Sequence, residues 1–210
     1  MTGNLTVKGV LVVGVAISLV GCRPSASDKF PSEIDKLGGR LIPWGVTPEN
    51  EPLFSVDWPK TATDAQLERL RDAKGVSQLR TLSIAGSQVT DAGLKHLKGL
   101  TQLEELSLQG TQVTGAGLEH LKGLTQLRLL DLRDTQVTGA GPVNLKGLAQ
   151  LQILDLRDTQ VTDAGLANLK GLTRLWVLCL QGTQVTYTGC AELKKRLPKL
   201  KIVHSDSPTN

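Results

Sequence analysis

LEELSLQGTQVTGAGLEHLKGLTQ, residues Leu103 to Gln126, is a unit that the chain repeats. Leu127 begins LRLLDLRDTQVTGAGPVNLKGLAQ and Leu151 begins LQILDLRDTQVTDAGLANLKGLTR. Leu79 opens an earlier copy, Leu175 opens LWVLCLQGTQVTYTGCAELKKRLP, and successive starts lie 24 residues apart. A fixed period of this size is the mark of a solenoid, in which each unit buries its apolar face only against its neighbours.

Within the unit, Leu106 and Leu108 share one side of a short strand, while Glu105, Ser107 and Gln109 take the other, because strand side chains alternate. Gly110 and Thr111 turn the chain, and Val113 re-enters the core. Thr114 is suited to cap a helix, since its hydroxyl can accept from a free N–H of the first turn. Leu118 and Leu121 then stand three apart on one helical face. Lys122 suits the negative helix end, and Gly123 suits a left-handed stop. One strand and one short helix fill the unit, and neither is stable alone.

The L-x-x-L-x-L strand and the turn after it resemble the leucine-rich repeat family. Ser87, Thr111, Thr135, Thr159 and Thr183 replace the asparagine usual in that turn. This is similar to a bacterial subgroup with T-x-V-T-D-A-G-L turns, found on secreted or lipid-anchored proteins. The resemblance is strong from Val76 to Leu197, and weaker over Ile34–Thr63 and Pro198–His204, which are similar to the caps of such proteins. It implies an α/β leucine-rich repeat solenoid: short parallel strands on a concave face, short helices on a convex face, and an N-terminal helix–hairpin cap. It implies protein binding more often than catalysis.

The flanks complete the organisation. Residues 1–21 read as an export signal: Lys8 is positive, and Val10 to Val20 is apolar but too short to span a bilayer about 30 Å thick. The segment ends in Leu19-Val20-Gly21-Cys22, which resembles a lipobox, so Cys22 is the expected acylation site of a lipoprotein. Several acyl chains would hold the protein on a membrane, where one binds marginally. An ordinary signal with an incidental cysteine is the alternative. The expected location is the bacterial envelope, with Arg23 after the cysteine leaning towards the outer membrane by family analogy. Residues 22–31 read as a tether and 32–62 as a cap, with a helix over Ser32 to Leu37 and strands over Leu41–Trp44 and Leu53–Trp58. The repeats occupy 63–197, starting with a helix over Asp64 to Lys74. Residues 198–210 give a closing edge strand, guarded by Lys199 and Lys201, and a tail.

Composition narrows the function. Net charge is +4, which is mild, and the chain holds only six aromatic residues, none in the interior repeats. No nucleic-acid stacking platform runs along the array. The aromatics are expected to plug the irregular ends. Of three cysteines, Cys179 is expected on the concave side and Cys190 in the core, which argues against a disulfide. His96 and His120 recur one repeat apart, followed by Asn144 and Asn168, and are expected to be solvated rather than to share a metal. The lysines Lys74, Lys98, Lys122, Lys146, Lys170 and Lys194 form a similar ladder that complements helix ends. No nucleophile–base arrangement, phosphate loop or metal-ligand spacing occurs in the sequence. The expectation is a non-enzymatic protein with no cofactor, no metal and no small-molecule substrate.

The concave positions are where the repeats differ. The first outward row reads Thr81, Glu105, Leu129, Ile153, Val177; the second Ser83, Ser107, Asp131, Asp155, Cys179; the third Ala85, Gln109, Arg133, Arg157, Gln181. Leu129, Ile153 and Val177, with Trp176 at their edge, are expected to be exposed anchors for a protein or peptide partner. Asp131, Arg133, Asp155 and Arg157 complete the candidate site as exposed pairs, worth about 0–1 kcal/mol each to the fold. Duplication of one repeat explains the charged ladder equally well. Five strands about 4.8 Å apart and about 17 Å long offer on the order of 400 Å², half of one side of a standard interface. The alternative to a binding module is a structural envelope component that self-associates or contacts cell-wall polymer.

Overall fold

The computed structural model describes residues 34–46, 52–73, 75–139 and 141–204. The export segment, Cys22, the tether, Ser32, Lys74 and the tail after His204 lie outside them.

Each repeat places its leucines one strand spacing from those of the next. Strands β1 (Arg40–Val46) and β2 (Pro52–Asp57) form an antiparallel hairpin, and β2 pairs in parallel with β3 (Leu79–Ser83). Then β4 (Glu105–Ser107), β5 (Leu129–Asp131), β6 (Ile153–Asp155), β7 (Val177–Cys179) and β8 (Lys201–Val203) follow in chain order, all parallel. Leu82, Leu106, Leu130, Leu154, Leu178 and Ile202 are register partners in turn. The five leucines of that ladder are fully buried, as are Leu108, Leu132, Leu156 and Leu180 just beyond the strands.

The turn after each strand needs one left-handed residue. Gly86, Gly110 and Gly182 supply it with φ of 67, 66 and 71°, while Asp134 and Asp158 supply it with φ of 54 and 57°. Glycine has no Cβ penalty there, and Asp tolerates the region better than most residues. The threonine that replaces asparagine closes the turn. Thr111, Thr135 and Thr159 are buried, and each hydroxyl donates to a carbonyl three residues back, that of Leu108, Leu132 and Leu156, at 2.7, 2.6 and 2.6 Å. Gly123 does not take the expected left-handed stop; it is absent from the positive-φ glycines among the described residues. Leu124 N–H donates to Leu121 and Thr125 N–H to Gly123, so a tight hydrogen-bonded turn ends the segment instead.

The convex side is tighter than the expected row of α-helices. Helix α1 (Asp64–Arg71) is a regular helix with a Thr63–Gln66 capping box, and α4 (Tyr187–Arg196) is the last. Between them, α2 (Asp91–Leu94) and α3 (Asp163–Leu166) are single turns that continue as 3-10 helix over Lys95–Leu97 and Ala167–Gly171. Gly117–Leu121 and Gly141–Leu145 are 3-10 throughout. The α-turns start at Asp91 and Asp163, whereas the repeats without one carry Gly115 and Gly139 there. An acidic residue in the first turn complements the free N–H groups; glycine gives the helix no such start.

Those aspartates also join repeats. Asp64 accepts from the Thr90 N–H and hydroxyl at 2.9 and 2.7 Å, Asp91 from those of Thr114 at 2.8 and 2.6 Å, and Asp163 from those of Thr186 at 2.8 and 2.7 Å. The G-A-G-L glycine makes room: a Cβ on Gly117 would lie 2.1 Å from Asp91 Oδ1, and one on Gly189 2.1 Å from Asp163 Oδ1. Where Asp is missing, Gly115 packs on the backbone of Gly141, with a Cβ on Gly115 2.6 Å from its Cα.

The ends are closed by other means. A helical turn at 34–36 stops at Gly38, with φ of 79°, and Ile34, Phe54 and Trp58 are buried in the core beside Leu67 and Leu70 of α1. Leu193, Leu197 and Leu200 close the other end, with Ile202 packed against them.

The carboxylate link is testable. Asp91→Ala should cost about 1–2 kcal/mol by stranding the Thr114 donors. Gly117→Ala should also destabilise, by displacing the carboxylate. Because both act on one contact, the double mutant should cost less than the sum by about 0.5 kcal/mol or more. Urea unfolding of the three variants measures this, and strict additivity would show that the link is not what Gly117 protects.

Candidate functional site

The concave face is three residues deep on each strand, and its rows behave differently. In the first row, register sets Glu105, Leu129, Ile153, Val177 and Lys201 side by side on β4 to β8. Leu129, Ile153 and Val177 are half-buried, so they are less exposed than the sequence suggests. Trp176, just before Val177, is 54% exposed, and Tyr187 at the start of α4 is 72% exposed. The expectation that aromatics plug the ends therefore holds for Phe54 and Trp58 and fails for these two. Trp176 precedes β7 at the margin of the sheet, where the core is already filled by Leu175 and Leu178.

In the second and third rows the expected exposed ion pairs are covered. Asp131 is 7% and Asp155 2% exposed. The physical reason is local. Arg133 and Arg157 lie two residues on, on the same face, and fold back over the carboxylates. Arg157 donates from its backbone N–H and Nε to Asp155 Oδ1 at 3.1 and 2.9 Å, and from Nη2 to Oδ2 at 2.6 Å. Arg133 repeats this on Asp131 and donates from Nη2 to Gln109 Oε1 at 3.0 Å. Arg133 Nε also stands 3.5 Å from Asp155 Oδ2, which ties the strands together. The hydrogen bond from each arginine to its own aspartate is the main cause that holds both guanidinium groups above their usual value. Asp131 and Asp155 thus hold the sheet and present little surface to a partner.

Cys179 stands between Asp155 and Val203 in the second row. Burial pushes its thiol up to about 11, with the Asp155 charge adding to the effect, so it stays protonated at neutral pH. Cys190 occupies the core position of the repeat leucines, and both thiols are free.

Leucine-rich repeat models match residues 77–137 and 150–170. The fold is an α/β leucine-rich repeat solenoid. Internalin C2 of Listeria monocytogenes is a structural relative at 20% identity, with a TM-score of 0.56 over 85% of this chain and 86% of that one. A leucine-rich repeat protein of Leptospira interrogans superposes at 24% identity with a TM-score of 0.52, over 70% of this chain and 33% of that one. This chain therefore spans about a third of the Leptospira protein. No curated protein sequence matches it. At these identities the likeness establishes the fold alone.

Other positions of the leucine-rich repeat array correct the sequence reading. His96 is 7% exposed rather than solvated, and its Nδ1 accepts from Arg71 Nη1 at 3.4 Å. Its equivalents His120, Asn144 and Asn168 are only half-buried. In the same column, His120 stands 3.8 Å from Glu119, and Asn144 donates to the Gly115 carbonyl at 2.8 Å. Asn168 donates to the Ala164 carbonyl at 3.1 Å. Among the described residues no cluster of His, Cys, Asp and Glu has the geometry to hold a metal. The lysine column Lys98, Lys122, Lys146, Lys170 and Lys194 is exposed. Gly115 and Gly141 floor a shallow groove of about 630 Å³ at the sheet's far margin, lined by uncharged residues such as Gln136, Thr138 and Asn144.

The sequence reading missed two parts of the concave surface. Lys201, taken as an edge guard, is also the last member of the first row. Glu104 bridges Arg80 at 3.8 Å and Arg128 at 3.2 Å along the strand entries. The 24-residue offset contained both signals, for the charges alternate along that column.

The burial of Asp155 reverses the expectation that the charged ladder is dispensable. Arg157→Glu should place a carboxylate against one that is almost fully buried, at a cost of about 3 kcal/mol or more. Thermal and urea unfolding of the variant measures it. A melting temperature within a degree of the parent's would mean the pair is solvated.

Proposed function

We propose that the protein is a lipid-anchored leucine-rich repeat module that holds a protein or peptide partner at the bacterial envelope through its concave face. The observation that carries the binding part is the row Leu129, Ile153 and Val177 beside Trp176. These side chains keep apolar surface in water on strands whose inward leucines, Leu130, Leu154 and Leu178, are already fully buried. Such groups, bordered by charge, are what a partner can desolvate and anchor on. Arg133 and Arg157 contribute as a half-buried polar border, and Asp131 and Asp155 hold that border in place. The chain's chemistry favours binding over catalysis, since its concave thiol is protonated and Asp131 and Asp155 are engaged by arginine.

Anchoring rests on the sequence: an eleven-residue apolar run from Val10 to Val20 leads to Leu19-Val20-Gly21-Cys22. Cys22→Ser should abolish lipid labelling and release the protein from membranes. Unchanged labelling would remove the lipoprotein reading.

For the concave face, cross-linking in native membranes should recover one stoichiometric partner. Ile153→Ser with Trp176→Ser should keep the melting temperature within a few degrees, yet cut recovery at least tenfold, roughly 1.4 kcal/mol. Undiminished recovery by the folded variant would move the site elsewhere. Recovery of only the protein itself or wall polymer would favour the structural alternative.

A further inference from the structure

The first concave row has a polarity that no single repeat shows. Within it Glu105 and Lys201 flank Leu129, Ile153 and Val177, all register partners in sequence, with the neutral Thr81 beyond Glu105. Neighbouring strands lie about 4.8 Å apart, so the stretch from Glu105 to Lys201 spans about 19 Å.

Glu105 is half-buried and has no cationic partner among the described residues; its one contact is the Thr81 hydroxyl, which donates to Oε2 at 3.4 Å. The nearby arginines Arg80 and Arg128 are engaged by Glu104. Loss of water raises the Glu105 pKa from its ordinary value. Lys201 is exposed and likewise unpaired among the described residues. The face therefore offers an acid, three aliphatic groups and a base in a line, with the second row neutralised internally.

Spacing selects the partner's backbone. A strand presents one face every second residue, about 6.8 Å, and falls out of step with 4.8 Å strands by about 6 Å over three steps. A helix presents one face about every 3.5 residues at 1.5 Å rise, about 5.3 Å, and stays within about 2 Å over four steps. Its diameter of about 10 Å covers the first row and reaches the arginine border.

We propose that the concave face takes an amphipathic α-helix of about 15 residues laid across the strands, with a cationic side chain over Glu105 and an anionic one over Lys201. This rests on the concave reading above and names the class of partner. The exposed Trp176 then packs along the helix flank.

The test uses the full chain in detergent and fluorescent synthetic peptides of about 15 residues. One carries Lys, three Leu and Glu at helical spacing; a second has the same composition with alternating apolar residues; a third is helical with Glu at both ends. The first should bind, gain helical circular dichroism, and bind at least tenfold more tightly than the second. Glu105→Lys should transfer preference from the first peptide to the third by about fivefold, the limit for an exposed pair. Lys201→Glu, at an exposed position, should weaken the first and third alike. No binding of the first peptide at about 1 mM, or an unchanged preference in Glu105→Lys, would overturn the proposal. Equal binding of the alternating peptide that Ile153→Ser still weakens would reject the helix but keep the concave face. Binding indifferent to Ile153→Ser would remove both.

Discussion

A unit of 24 residues with one three-residue strand cannot bury its own leucines. Leu106 is covered by Leu82 on one side and Leu130 on the other, and the same holds along the array. Burying a leucine stabilises by about 1.5–3 kcal/mol, but here that gain exists only between units. Cooperativity is therefore carried through the interfaces, and the two ends require different chemistry from the middle. At the start, a hairpin and a regular helix lay Phe54, Trp58 and Leu67 over the first open face. At the finish, α4 runs for ten residues and β8 leaves Lys201 on its exposed edge.

Hydrogen bonds repeat the same logic at the surface of the stack. Each Asp–Thr link satisfies two donors of the next repeat with one carboxylate, and a glycine on that next repeat leaves space for it. Two central repeats exchange the carboxylate for Gly115 and Gly139, and the backbones close up. The solenoid thus has two kinds of joint, a carboxylate joint and a glycine joint. The second opens the uncharged groove beside Asn144.

The fold was legible because a period of 24 is visible without any knowledge of contacts, and alternation within the strand assigns Leu106 inward and Glu105 outward. What was not legible depends on side-chain reach. Arg157 and Asp155 occupy neighbouring outward positions, and periodicity alone does not say whether the long side chain extends to solvent or folds back. Its fork matches a carboxylate two residues away, so it folds back and buries Asp155. The burial of His96 has a related cause: periodicity places it outward but does not show that Arg71 of α1 reaches over to it. Lys201 was read as an edge guard because the closing strand lacks the repeat pattern, although its register continues the first row.

Duplication of a repeat sets a physical condition on the charges it copies. Every copied side chain on a strand lands about 4.8 Å from its parent, directly opposite in the ladder. Asp131 and Asp155 are such a pair, and two bare carboxylates so placed would repel each other strongly once shielded from water. They are tolerated because each arrives with its own arginine, so each Asp–Arg pair is neutral, and Arg133 reaches across to Asp155 as well. A charge without an internal partner has no such protection, and its copy would destabilise the sheet. Glu105 has no copy: its neighbours in the row are Thr81 and Leu129. The row beside that ladder carries no copied charge, and a single unpaired charge on either side of its apolar stretch gives a repetitive surface a direction.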